Sequence, residues 1–133
     1  MADDTFERGM VVRRQVLGDE HVDRATAAAT DLTADFQGLI TRYAWGEIWA
    51  RPSLDRRTRS CITVAMLVAL NRPEELEMHL RAAATNGVSW AEIKEVLLQA
   101  AIYCGVPAAN SAFAIAHRIL GKAEAGQQPP ADH

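Results

Sequence analysis

Apolar residues recur along this chain at intervals of three and four, in runs separated by glycine, proline or short polar stretches, and about six or seven helices follow from that pattern. Between residues 4 and 17, Phe6, Met10, Val11 or Val12, and Val16 share one side of a helix that Gly18 ends. Residues 20 to 29 read as a short connector helix whose apolar side is one valine and several alanines. Asp31 is placed to cap a third helix carrying Leu32, Phe36, Leu39, Ile40 and Tyr43 at helical spacing. That helix runs into the segment AWGEIWARP, where Gly46 and Pro52 are expected to break or bend the chain. Asp55 caps a fourth helix reaching about Leu70, and its second half is apolar nearly all round, as suits a central helix.

Pro73 and the pair Asn86-Gly87 bracket a fifth helix, with Leu76, His79, Leu80 and Ala83 on one face. Ser89 and Glu92 have capping-box spacing and open a sixth, whose apolar face is Ile93, Val96, Leu97, Ala100 and Ala101, with Tyr103 near its end. Gly105-Val106-Pro107 is a stop and restart. The last helix, about 107 to 121, begins with small residues that permit close approach to a neighbour. From Ala123 the chain is polar and proline-containing and reads as a disordered tail. The expected architecture is all-α: one compact helical domain over 1–122 and a tail over 123–133.

Composition narrows the function. At 133 residues the chain is long enough to bury a core without a disulfide or a structural metal. Hydrophobic residues make up 49% and aromatic residues only 6%, so alanine and the aliphatics dominate, which favours closely packed helices. The net charge is -3 with both signs interspersed, which excludes the broad basic surface that nucleic acid requires. No basic leader precedes an apolar run, and no apolar run reaches membrane-spanning length, so the expected compartment is the cytoplasm. Cys61 and Cys104 form no CxxC pair and read as buried thiols, and no cluster of metal ligands is seen.

The candidate chemistry sits in three places. His79 faces the core side of its helix; a lone histidine there is ordinarily a hydrogen-bonded core residue, yet it is also the side chain best suited to acid–base work near neutral pH. Trp45, Glu47, Trp49 and Arg51 concentrate two aromatics, an acid and a base in one short piece. They line a pocket, or else the tryptophans anchor a loop while Glu47 and Arg51 form a local i, i+4 pair. Arg56, Arg57 and Arg59 crowd a helix N-terminus that is already positive, an arrangement suited to docking a carboxylate or else a solvated basic turn.

Taken together, FERGMVVRRQVLGDEHVDRA, ITRYAWGEIWARPSLDRRTRS, PEELEMHLRAAATNG and EIKEVLLQAAIYCGVPAANSAF resemble the carboxymuconolactone decarboxylase family, within the alkylhydroperoxidase D-like superfamily, over about residues 6 to 120. The resemblance implies the superfamily's all-helical fold and a homo-oligomer, a hexamer. In the superfamily's peroxidase-like branch a CxxC pair precedes the histidine. Here Arg72 and Glu75 stand where those cysteines would be and Ser60 where an acid would be, so the redox centre is missing. The WGEIWARP and RRTRS segments favour the decarboxylase branch.

What the resemblance implies is loss of CO2 from γ-carboxymuconolactone, a small dicarboxylate lactone of protocatechuate catabolism, to give β-ketoadipate enol-lactone. No cofactor and no metal are expected, because the substrate delocalises its own electrons, and neither lysine, Lys94 or Lys122, stands in a Schiff-base context. His79 would be the general acid or the donor to the oxyanion, and Glu47 its orienting or relay group. Arg59, with Arg51 or Arg56, would hold the substrate carboxylates, and Trp45 and Tyr103 would wall the ring. Alternative readings are a decarboxylase-like enzyme for another unsaturated lactone or keto acid, and a non-catalytic oligomer that binds a metabolite.

Overall fold

The computed structural model describes the backbone of residues 2–127 and the side chains of residues 4–119. It is all-α, with seven α-helices, one π-helical segment and no strand among the described residues. The chain divides into two compact units, Met1–Arg59 and Ser60–His133.

The first unit is built from α1 (Ala2–Leu17), α2 (Asp19–Ala27), α3 (Ala34–Ile40), the π segment Thr41–Trp49 and the start of α4 (Arg56–Leu70). Gly18, at φ 95°, ends α1 as the sequence predicts, and Arg14 then reaches across the turn to Asp19 at 3.1 Å and Asp23 at 2.8 Å. α1 lies along the π segment, and Val12 and Val16 are buried.

Two expectations for this unit are corrected. Helix α3 starts at Ala34 rather than just after Asp31, because the Thr30 amide donates to Thr33 Oγ1 at 2.9 Å and leaves Asp31 and Leu32 in a turn. Gly46 does not break the chain but lies inside the π segment. Its role is clearance, since a β-carbon there would stand 2.5 Å from the Thr5 carbonyl oxygen, and one on Gly9 would overlap the Thr41 carbonyl. Finally, Leu32, Phe36, Leu39 and Tyr43 are 90%, 58%, 51% and 66% exposed. Their face points outward in the single chain.

The second unit comprises the rest of α4, α5 (Pro73–Thr85), α6 (Trp90–Cys104) and α7 (Val106–Gln127). α7 packs against both α5 and α6. Its core joins Val64, Val68, Leu76, Leu80, Leu97 and Ala112, all at most 3% exposed, with Val88 and Ile115 at the edge. Gly87 and Gly105 take φ 88° and 99°, the left-handed backbone that ends α5 and α6. The capping box forms: Ser89 Oγ accepts from the Glu92 amide at 3.1 Å, and the Glu92 carboxylate accepts from the Ser89 amide at 2.8 Å. α7 continues past the residue 121 expected for it, and the remainder of the expected tail, 128–133, lies outside the described residues.

Candidate functional site

The candidate residues fall into two groups, one in each unit. In the first, the wider turn of the π-helix brings Trp45 and Trp49 to one side of the segment, 6% and 9% exposed, with ring centroids 5.1 Å apart. Their burial turns Glu47 to the exposed side. Arg51, just beyond the segment, is also exposed, and the i, i+4 ion pair open to it and Glu47 is not formed.

Arg56 and Arg59 stand in the first turn of α4, both half-buried. Asp55 caps that turn as predicted, its Oδ1 accepting from the Thr58 amide at 2.7 Å, and this bond holds the Asp55 carboxyl below its usual range. Arg56 Nη1 donates to Gln15 Oε1 at 2.6 Å, so its position is fixed by a neutral amide that leaves its charge uncancelled.

In the second unit, α5 carries His79 inward, 8% exposed, on the face it shares with Leu76, Leu80 and Ala83, which are all buried. This is the placement its spacing predicts. An imidazole so placed offers one donor and one acceptor nitrogen inside aliphatic walls. Ser60, fully buried at 0%, accepts from Asn86 Nδ2 at 2.9 Å and ties α4 to the end of α5.

Tyr103, by contrast, is 83% exposed at the end of α6. It stands on the rim of an apolar groove of about 300 Å³ that Cys61, Val96 and Cys104 also line and His79 does not. Both cysteines are free thiols and half-buried rather than buried. Among the described residues no three His, Cys, Asp or Glu side chains gather as metal ligands do.

Arg13 is a charged residue that the sequence reading passed over. It is 6% exposed in the first unit; Nη1 donates to Thr41 Oγ1 at 3.2 Å and Nη2 to Gln37 Oε1 at 3.0 Å. Burial lowers its pKa from the usual arginine value. The signal was available in the spacing, because Gly9, Val12, Arg13 and Val16 share one helical face and all four are buried.

Comparison with known proteins adds a family. The model described as the carboxymuconolactone decarboxylase family matches residues 34–118, a span that contains every candidate residue named for catalysis and substrate binding. A 4-carboxymuconolactone decarboxylase of Acinetobacter baylyi is 47% identical over 115 residues, 86% of each chain. A nitrosuccinic acid decarboxylase of Metarhizium robertsii is 42% identical over 115 residues, 86% of this chain and 80% of the relative. A 4-carboxymuconolactone decarboxylase of Pseudomonas putida is 50% identical over 42 residues, 32% of this chain and 88% of that sequence.

Proposed function

The chain belongs to the carboxymuconolactone decarboxylase family, and from that premise we propose that it is a carboxy-lyase releasing CO2 from 4-carboxymuconolactone to give β-ketoadipate enol-lactone. The observation that carries the reading is the identity with the Acinetobacter baylyi decarboxylase along most of both chains. The step belongs to protocatechuate catabolism, in the cytoplasm; no helix among the described residues is long and apolar enough to cross a membrane.

The chemistry needs no electron sink beyond the substrate. The bond to the leaving carboxylate breaks, and its electron pair passes through the ring double bond onto the lactone carbonyl oxygen as a dienolate. A proton then adds to the ring carbon. The protein has three tasks: hold two carboxylates, stabilise the oxyanion and deliver the proton.

In this proposal Arg59, with Arg51 or Arg56, holds the carboxylates through charge-assisted hydrogen bonds. His79 is the general acid or the donor to the oxyanion, and Glu47 orients it or relays its proton. A cation about 4 Å from a carboxylate at an effective dielectric near 20 is worth roughly 4 kcal/mol, and a positioned acid contributes ~10² to 10⁴ in rate. The two effects are comparable. A guanidinium too close to the departing carboxylate would stabilise the ground state, so the arginines hold the acid that stays.

Trp45 shapes the ring's wall through its packing on Trp49, and Tyr103 completes that wall where another copy of the chain covers it. The working unit is then a homo-oligomer, a hexamer by family resemblance. The outward apolar residues Leu32, Phe36, Tyr43, Ile102 and Tyr103 support self-association, because apolar side chains so exposed gain by being covered.

The Metarhizium relative favours a second reading, in which the substrate is a different acid with its own electron sink, such as the nitro group of nitrosuccinic acid. The deciding experiment offers the purified protein freshly made 4-carboxymuconolactone and, separately, nitrosuccinic acid, anaerobically and without added metal or cofactor, and follows CO2. Rapid release from the lactone is the expected result. Release from nitrosuccinic acid alone would replace the proposed substrate, and binding without release from either would make the chain a metabolite-binding protein.

A further inference from the structure

We propose that a pocket in the first unit, between α1, α2 and α3, is a second ligand site, and that it takes a small monocarboxylate with a short apolar body, the carboxylate lying against Arg13. The pocket has a volume of about 160 Å³, some five times the volume a water molecule occupies. Phe6, Met10, Ala25 and Ala29 make its apolar wall, and Arg13, Gln37 and Thr41 supply polar groups. None of the residues that line it is assigned to decarboxylation above.

Arg13 carries an unbalanced charge. Arg13 is 94% removed from solvent, being 6% exposed, yet its two hydrogen-bond partners, Thr41 and Gln37, are both neutral. Its Nε has no hydrogen-bond partner, and among the described residues no carboxylate pairs with it. A guanidinium has five N–H donors, so donors remain after those two bonds are made. A buried cation without a counter-charge is destabilising, and an anion in the adjoining pocket removes that penalty.

The surrounding field agrees. Burial, then Arg13, then Arg24 hold the His21 imidazole below the ordinary histidine value, so protonation there is opposed by neighbouring positive charge. Arg24 itself is paired with Glu20 at 2.8 Å, whereas Arg13 has no such acid.

The wall selects the ligand. A phosphate or a dicarboxylate would place further charge against the apolar side chains of Phe6 and Met10. One carboxylate on a short branched alkyl group matches a single cation at an apolar cavity.

The test uses isobutyrate as probe and isobutyramide as its neutral isostere, with chloride holding ionic strength constant. The readout is the His21 pKa, followed by NMR in the full-length protein, because an anion on Arg13 cancels the repulsion that lowers it further after burial. Saturating isobutyrate is expected to raise that pKa and isobutyramide to leave it unchanged. Gln37→Glu, which sets a carboxylate where Oε1 now lies 3.0 Å from Arg13 Nη2, should raise the His21 pKa by itself and weaken isobutyrate at least ~10-fold. No response to isobutyrate, an equal response to the amide, or an undiminished response in Gln37→Glu would each overturn the proposal. The comparison of the two probes on the unaltered protein decides the matter even where the variant does not fold.

Discussion

Gly46 of the π segment approaches Thr5 of α1 so closely that a β-carbon on it would meet the Thr5 carbonyl oxygen at 2.5 Å and its Cγ2 at 2.8 Å. The nearest obstacle is backbone, which cannot rotate aside as a long side chain can. Gly46→Ala is therefore expected to push α1 off the segment and to destabilise the protein by about 1–3 kcal/mol, the usual cost of overpacking. Urea unfolding would show it as a lowered midpoint at an unchanged slope. An unchanged midpoint would mean that the helix shifts freely and that the glycine is not needed for clearance.

A second relationship is electrostatic. Glu77 on α5 accepts from Arg118 on α7 at 2.8 Å and from Arg81 at 3.1 Å. The bond from Arg81, then that from Arg118, hold its carboxyl below the value of 4.5 usual for glutamate. A carboxyl whose pKa is depressed by folding adds stability that is present above its unfolded value and is lost as pH falls through the folded value. The unaltered protein should thus exceed Glu77→Gln in stability at neutral pH, and the difference should shrink below about pH 4.5. All three side chains are solvent-accessible, so added salt should narrow the gap as well. Thermal unfolding at a series of pH values compares the two, and a gap that widens in acid would contradict the sign.

Much of this architecture is legible in the sequence, and particular residues show where legibility stops. The face of Leu76, His79, Leu80 and Ala83 is read correctly because α5 is covered within its own unit, so periodicity and burial coincide. Gly87 and Gly105 are read correctly because a left-handed helix end strongly favours glycine. The stripe of Leu32, Phe36, Leu39 and Tyr43 has equally good spacing and is exposed. Spacing says which residues share a face and not whether anything covers it. Gly46 was ambiguous for another reason, since glycine serves both to break a helix and to let a backbone approach.

The candidate site divides in the same way. The inward placement of His79 follows from local periodicity. Whether Glu47 pairs with Arg51 depends on side-chain direction, which the π-helical winding alters. Arg13 was missed because charge is read as solvent-facing, although its helical register placed it with buried residues.

The capping box offers a local test of what starts α6. Ser89 and Glu92 satisfy two amides that would otherwise open the helix unpaired. Ser89→Ala removes one acceptor and should cost about 1 kcal/mol, within the range of 0.5–2 known for such caps. Ser89→Asp should restore most of it, since aspartate caps well and its charge suits a helix N-terminus. Matched thermal unfolding of the three proteins gives the comparison. Equal stability of Ser89→Ala and the unaltered chain would assign the helix start to tertiary packing.

The proposed chemistry rests on His79. His79 is 8% exposed on a face otherwise made of Leu76, Leu80 and Ala83, so it serves either as a packed core residue or as the proton donor of the proposed reaction. The two roles separate by experiment. A purely structural histidine would show its loss in stability, with turnover intact in whatever fraction stays folded. A proton donor would show it in kcat, by ~10² to 10⁴, in protein that remains fully folded. His79→Gln is the better variant, because it keeps polarity and much of the volume while supplying no proton near neutral pH; His79→Ala adds a cavity and confuses the readouts. Circular dichroism fixes the folded fraction and CO2 release from 4-carboxymuconolactone gives the rate. Arg59→Lys serves as the contrast, because a residue that only holds the carboxylates should raise KM and leave kcat nearly unchanged. Full turnover in folded His79→Gln would return the imidazole to the core and require a different proton donor.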